Sequence, residues 1–354
     1  MRNNVERLKW LDLVRSIAIA CVVLCHVVES GIYIMSVEYM QSVGNLSKLF
    51  AFVMFTFGRM GVPFFLLITG WLLLDREYTD DACFKFWKSK IGGLLFALEV
   101  WIVVYNIFFC FFYDAEWSIK SIVKEMLLLK NSSMNHMWYM PMILGMYITI
   151  PFVSNALRTL KEKTILIPYM VVLICFFGIP TANVFVKIAG FVVGETIIST
   201  GFSGGCYGLY IVTGYLLKKG TLKRFKSSTL FVCYITSLVI TVLMQVCSFE
   251  YGITYNLWYN NLFLFVSCVI LFELLERTKS IACEKVSILI ARYSFAIYLI
   301  HNPINIILKK YSLFVSIRPL RVILVWITTI FFSFGISIII EKIPKVGKKI
   351  LYMR

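Results

Sequence analysis

Charge is scarce in this chain. Asp, Glu, Lys and Arg make up only 15% of the 354 residues, and mean hydropathy is +0.82. A soluble domain of this length needs more charge to face water, so the soluble globular class is excluded. Histidine is scarcer still: His26, His136 and His301 are the whole supply. There is no HExxH and no other metal-ligand spacing, so no metal site and no permanently bound cofactor is expected. P-loop and GxGxxG signatures are missing as well, which removes the nucleotide-binding folds built on them. The ten Cys include no CxxC pair, and most sit inside apolar runs (Cys21, Cys25, Cys110, Cys175, Cys247, Cys268). There they read as small packing residues rather than a disulfide framework.

Acidic residues are outnumbered, 19 against 35 basic, for a net charge of +16. Nucleic acid is one partner such a balance can imply, but the chain has no basic low-complexity tail and no RNA or zinc motif. What is abundant is apolar sequence in runs of about 20 residues, the length that crosses a bilayer core. The expected class is therefore all-α: a polytopic membrane helical bundle with about ten transmembrane helices. The segments run roughly 11–35, 47–74, 91–113, 137–155, 164–180, 202–217, 228–247, 254–275, 287–308 and 320–341. The first reads as a span, too long for the apolar core of a cleavable leader. Gly61-Val62-Pro63 predicts a kink in the second. Residues 119–130 have amphipathic spacing without spanning length and predict an interfacial helix. Residues 182–197 read either as a short helix or as a re-entrant segment. With the N-terminus inside, most Lys and Arg fall in loops on the inner side, which predicts both termini in the cytoplasm. No internal repeat divides the chain, so residues 1–354 form a single domain with a short basic tail at about 342–354.

Against this apolar background the first segment stands out. It carries Asp12, Arg15, His26 and Glu29, and charge inside a membrane helix is costly enough to need a partner or a function. Arg15 and His26 are eleven residues apart, three turns, so they share one face about 16 Å apart along the axis. That spacing places the arginine near one membrane surface and the imidazole near mid-membrane. Arginine suits phosphate recognition, and imidazole is a general base near neutral pH. A long thin donor with phosphates at one end and a reactive group at the other fits that line. Taken alone, the pair reads equally as a snorkelling arginine and a structurally bonded histidine. Further in-segment polar groups are Glu99, expected as a partner for His26, Arg15 or Arg59, and Arg59 itself, just before the kink. Glu29, one turn after His26, either steers the imidazole or marks the helix end. Trp138, Tyr139 and Tyr298 read as sugar-binding aromatics or as membrane-interface anchors. The run YNLWYNN at 255–261 reads as an acceptor contact or a helix cap.

The stretch RLKWLDLVRSIAIACVVLCHV resembles the opening of acyltransferase family 3, bacterial membrane O-acyltransferases with about ten spanning helices. Four more stretches resemble that family in the expected order: GVPFFLLITGWLL (61–73), HMWYMPMILGMYITIP (136–151), YGLYIVTGYLL (207–217) and ARYSFAIYLIHNPI (291–304). The resemblance implies catalysis by His26, as base or in an acyl relay, and a donor contact from Arg15. Read from the residues themselves, Glu99 is the expected catalytic carboxylate, Lys90 and Arg59 are expected donor contacts, and His136, Trp138, Tyr139, Tyr298 and His301 are expected substrate contacts. The implied co-substrate is acetyl-CoA or another acyl-CoA. The implied acceptor is an envelope glycan or lipid-linked saccharide, in the bacterial cytoplasmic (inner) membrane among its lipids. One departure matters. Where the family often carries Arg-x-x-Arg at the third helix, this chain has FWKSKIGGLLF (86–96), with Lys88 and Lys90 nearby but Gly93 in place of the second arginine. A lysine cannot reproduce a bidentate guanidinium. The residues also leave a second class open, a transporter of a small amino acid or acyl group, since buried charges on one helix suit a permeation path too.

Overall fold

The computed structural model describes residues 8–32, 34, 40–191, 194, 205–253, 255–311 and 318–353. Arg2, Arg7 and Arg354 of the charge argument, and much of the end of the 182–197 segment, lie outside them. Among the described residues every regular element is a helix. In chain order these are α1 (Lys9–Ile32), α2 (Asn45–Arg59), α3 (Gly61–Leu73), α4 (Asp80–Tyr113), α5 (Ile119–Met126), α6 (Tyr139–Thr159), α7 (Glu162–Leu173), α8 (Ile179–Ile188), α9 (Gly205–Lys218), α10 (Ser227–Glu250), α11 (Leu262–Glu276), α12 (Glu284–Lys310), α13 (Arg318–Glu341) and the single turn α14 (Gly347–Ile350). Among the described residues, seven helical runs are long and apolar enough to cross a membrane: Lys9–Ser30, Asn45–Leu73, Asp80–Tyr113, Asn135–Thr159, Glu162–Ile188, Ser227–Glu250 and Pro319–Glu341. Helices α9, α11 and α12 lie among them, so each of the ten expected segments falls on a helix.

Helix α1 is the centre of the bundle. It packs on α2, α3, α11, α12 and α13. Two polar clasps hold it to α12: Ser16 Oγ donates to the Ser287 carbonyl (2.7 Å) at one end, and Asn305 Nδ2 donates to the His26 carbonyl (3.1 Å) at the other. In an apolar solvent such bonds and close backbone packing hold helices together, because burying more hydrocarbon gains little. The close packing is built on glycine. A Cβ on Gly61 would stand 2.6 Å from the Ala18 carbonyl oxygen and 2.7 Å from Val22 Cγ2. Across α3 and α9, a Cβ on Gly70 would stand 1.7 Å from the Ile211 oxygen.

The predicted break in the second span occurs at Met60, between α2 and α3. Pro63 has no N–H for the Arg59 carbonyl, so the helix cannot run through unchanged. Three boundaries differ from the sequence expectation. Helix α4 begins at Asp80 rather than 91, capped by Thr79 Oγ1, which accepts from the Ala82 N–H. Lys85, Lys88 and Lys90 therefore ride on its opening turns instead of a loop. The fifth span is one run from Glu162 to Ile188, widened to a π-turn at Ile174–Gly178. Helix α11 begins only at Leu262, because Asn261 Oδ1 accepts from the Leu264 N–H (2.9 Å) and starts the helix there. Residues 255–261 fold instead as a loop. The interfacial helix appears as α5, with Ile122 and Glu125 buried. The basic tail is not loose: Trp101 Nε1 donates to the Ile350 carbonyl (3.1 Å) and the Tyr352 hydroxyl to the Lys90 carbonyl (3.2 Å).

The helix directions sort the loops between two faces. One, the N-terminal face, carries the start of α1, the 74–79 loop, the turns near 160, 220 and 280, and the tail. It is laced by ion pairs, among them Lys9–Glu284 (2.9 Å) and Lys219–Asp75 (2.7 Å). The far face carries α5 and the loop 255–261.

Candidate active site

All three histidines meet. The ring centre of His26, from α1, lies 5.2 Å from that of His301 on α12 and 6.0 Å from that of His136, which precedes α6. His136 and His301 are 4.9 Å apart. Counting 1.5 Å per residue, His26 sits about 26 Å along α1 from Lys9. The cluster is thus in the far-face third of α1.

The hydrogen bonds separate the three roles. His26 Nδ1 faces Glu29 Oε2 at 3.1 Å, and a carboxylate only accepts, so Nδ1 carries a proton and the neutral ring has its lone pair on Nε2. The other oxygen of Glu29 accepts from Arg59 Nη2 at 2.8 Å. Arg59 is itself buried, bonded to the Tyr259 hydroxyl and the Asn256 amide oxygen at 3.4 Å and stacked between Phe55 and Trp258. The result is a base, a carboxylate that sets its tautomer and a cation paired with that carboxylate. In His301, Nδ1 bonds the Tyr298 carbonyl (2.7 Å), again leaving Nε2 as the acceptor; that atom is buried and unbonded. His136 has neither nitrogen to spare: Nδ1 meets the Asn302 amide (3.2 Å) and Nε2 the Tyr105 hydroxyl (3.5 Å). Tyr105 donates on to the Leu299 carbonyl at 2.5 Å. That carbonyl is free because Pro303, four residues on, has no N–H.

Below the cluster, toward the N-terminal face, lies a cavity of about 840 Å³. It is bounded by α1, α3, α4, α6, α12 and Tyr352 of the tail, and Arg15, Arg76, Lys85 and Lys90 give it a positive lining. Arg15 is held by Asp12 (3.1 Å), and its side chain keeps 32% of its exposure. The rim is pinned to α6: Ser154 Oγ donates to the Arg76 carbonyl (2.7 Å) and Asn155 Nδ2 to the Tyr78 carbonyl (2.7 Å). Beside the mouth, Asp75 pairs with Lys218 and Lys219. Burial pushes its carboxyl up, but hydrogen bonds from the two lysines outweigh that and hold it below its ordinary value. A small apolar void of about 40 Å³, lined by Val22, Val62, Phe65, Tyr139, Phe295 and Tyr298, continues upward. It shares Phe65, Tyr139 and Phe295 with the large cavity, while the Tyr298 ring touches His136. One stripe of α1 therefore reads Arg15 in the cavity, Val22 in the throat, and His26 with Glu29 above it.

A family model described as an acyltransferase domain matches residues 8–342. The chain belongs to acyltransferase family 3. No curated protein and no solved structure matches it.

Within this acyltransferase two expected roles are corrected. Glu99 is not beside His26. Helix α4 packs through Leu94, Ala97, Leu98, Trp101, Ile102 and Tyr105, and Glu99 is 100° round from Leu98, exposed on the outside of the bundle. Glu29 holds the place expected for it. Arg59 is not in the cavity with Arg15; it precedes the kink on the far-face side and serves Glu29. The other expected residues are close to the path. Lys90 and Tyr139 line the large cavity, Tyr139 and Tyr298 the throat, and His136 and His301 complete the cluster. Trp138 packs against Tyr207, Trp258 and Tyr259 on the far face. There it also lines a second pocket, of about 260 Å³, with Glu125, Lys130, Asn131, Ser132 and Asn135. Of the two readings of the loop 255–261, the helix cap is seen: Asn261 caps α11, while Asn256 reaches Arg59. Sequence reasoning passed over Tyr105, Asn302 and Asn305. The signal was present in LIHNPIN, where three polar residues surround a proline in an apolar helix.

Proposed function

We propose that this acyltransferase moves an acyl group, acetyl first among the candidates, from acyl-CoA to a hydroxyl of an envelope glycan or lipid-linked saccharide. The observation that carries the reading is the order along α1: Arg15 in a basic cavity, Val22 at a small apolar void, and a histidine bonded to Glu29, one turn from the far end. The phosphates of the donor lie against Arg15, Arg76, Lys85 and Lys90, whose charge-assisted bonds suit them. Its slender arm runs along α1 toward His26 and brings the thioester carbonyl there. The acceptor hydroxyl gives its proton to His26 Nε2 as its oxygen attacks the carbonyl carbon. The C–S bond breaks, and the imidazolium returns the proton to the leaving thiolate. Holding both reactants on one line supplies much of the rate by proximity. His301 Nε2 is an acceptor for a neighbouring hydroxyl of the sugar. The far-face pocket beside Trp138, with its amides and indole, suits a saccharide.

In this reading the N-terminal face is cytoplasmic, which agrees with the surplus of Lys and Arg there and with the cytoplasmic supply of acyl-CoA. The membrane is the bacterial inner membrane. A transport path has no use for a base with a fixed tautomer, which favours the enzyme over the transporter. The test is His26→Ala in proteoliposomes supplied with labelled acetyl-CoA and envelope extract. Transfer falls to background while coenzyme A still binds. Undiminished transfer by a folded variant overturns the assignment.

A further inference from the structure

One wall of the basic cavity is a tyrosine from the tail. Tyr352 stands between α4 and α12. Its ring centre lies 5.1 Å from that of Phe295 on α12, and its hydroxyl donates to the Lys90 carbonyl on α4 (3.2 Å). Gly93, one turn beyond Lys90, leaves room for the ring: a Cβ there would stand 3.0 Å from Tyr352 Cε2. Lys90 and Phe295 line the cavity with Tyr352, and Phe295 also lines the small void beside Val22. The ring therefore marks the step from the charged part of the cavity to its apolar part.

The backbone of Tyr352 is an unusual place for a large side chain. The turn of α14 closes with two bonds, from the Tyr352 N–H to the Lys349 carbonyl (3.0 Å) and from the Met353 N–H to the Lys348 carbonyl (2.7 Å). That closure puts Tyr352 in the left-handed region at φ 51°, where glycine is the usual residue because it has no Cβ to crowd the backbone. The tail does not need the ring to stay docked. Leu351 is fully buried, Trp101 Nε1 bonds the Ile350 carbonyl (3.1 Å), and Gly347 lies so close to α13 that a Cβ would stand 2.1 Å from the Ile340 oxygen. A bulky residue at a glycine position, redundant for docking and facing a cavity, points to a role in that cavity.

We propose that Tyr352 is a donor-contact residue, its ring walling the cavity where the phosphates of acyl-CoA give way to the uncharged arm; the inference rests on the acyl-CoA reading above. Aromatic side chains suit such walls because their faces are rigid and apolar. The hydroxyl is committed to the Lys90 carbonyl, so the contact belongs to the ring. Donor affinity depends on that ring, and the chemistry at His26 does not.

The test is calorimetric titration of the purified protein in nanodiscs with coenzyme A, with transfer from labelled acetyl-CoA measured alongside and thermal unfolding as the control for folding. Tyr352→Gly suits the left-handed backbone, so the turn persists while the ring is lost. The Kd for coenzyme A and the KM for acetyl-CoA rise at least about tenfold, with kcat unchanged. Tyr352→Phe keeps the ring and leaves both at their original values. Gly93→Val displaces the ring and weakens binding with the tail sequence intact, so it carries the test even where Tyr352→Gly does not fold. Combined with Tyr352→Gly it has no ring to displace and adds nothing, whereas independent losses would add. An unchanged Kd in either folded variant, a fall in kcat in place of the rise in KM, or a Tyr352→Phe no better than Tyr352→Gly overturns the contact and leaves the acyl-CoA reading standing. Failure of the unaltered protein to bind coenzyme A overturns that reading and the contact with it.

Discussion

Replacing Glu29 by Gln changes one atom and tests the core of the mechanism. The two oxygens of Glu29 are committed to different partners, Oε2 to His26 Nδ1 at 3.1 Å and Oε1 to Arg59 Nη2 at 2.8 Å. Arg59 has only donors, so it claims the single oxygen of the glutamine. The amide nitrogen then faces His26 and donates to Nδ1. The imidazole proton moves to Nε2, and the base has lost the lone pair it needs. The geometry survives while the tautomer is wrong, a fault that costs about 10²- to 10⁴-fold in rate in comparable triads, or about 2.7–5.4 kcal/mol of barrier. The assay is transfer from labelled acetyl-CoA, read as kcat at saturating donor, with thermal unfolding as the control for folding. A second substitution sharpens it. In Glu29→Gln with Arg59→Met, nothing claims the amide oxygen. The side chain is free to flip and accept from Nδ1–H, so activity recovers at least about tenfold over the single variant. A Glu29→Gln enzyme within threefold of the original refutes the reasoning, and so does a double variant that folds but shows no recovery.

Three further outcomes are expected. Arg15→Ala removes a charge-assisted contact to the donor phosphates, worth about 1.5–3 kcal/mol, so KM for acetyl-CoA rises about 10- to 100-fold with kcat little changed; an unaltered KM places the phosphates elsewhere. Tyr105→Phe leaves the Leu299 carbonyl, freed by Pro303, without a donor in a buried site, costing about 1–3 kcal/mol in unfolding free energy; a thermal midpoint equal to the original protein's contradicts the bond. Asp75→Asn loses a carboxylate whose value is lowered in the folded state, so the stability at stake is fully present above the ordinary carboxylate range and disappears as pH falls through the lowered value. The pair is partly exposed, so the effect at neutral pH is about 0–1 kcal/mol. Melting curves of the two proteins differ at pH 7 and converge in strong acid; a gap that persists in acid points to a cause other than charge.

Some of the site was legible because helix geometry is local. Arg15 and His26 share a face at a spacing of eleven for any α-helix, so their alignment follows from sequence. The kink at Pro63 is legible for the same reason, since a missing N–H acts within one turn. Glu29 reads from sequence more as a mark of the helix end than as a partner of His26, because its second partner, Arg59, comes from another helix. Glu99 misled because a carboxylate in an apolar run reads the same whichever way it points. The direction is set by which face of α4 packs, and Leu94, Leu98 and Trp101 decide that only once α6 and the tail are present.

The sequence by itself determined the class of the protein, the number and order of its helical segments and the line of chemistry along α1. These are properties of composition and of a periodic chain in an apolar solvent, where backbone hydrogen bonds must close within each helix. Only the tertiary structure decided that three histidines from distant segments form one cluster and that Glu29 rather than Glu99 serves His26. It also revealed a small apolar void of about 40 Å³ at Val22 and Val62, next to the basic cavity. Those depend on the rotation and depth of each helix against its neighbours, set by contacts such as Gly61 on Val22 and Asn305 on the His26 carbonyl. Such contacts join residues far apart in the chain, where no local pattern records them.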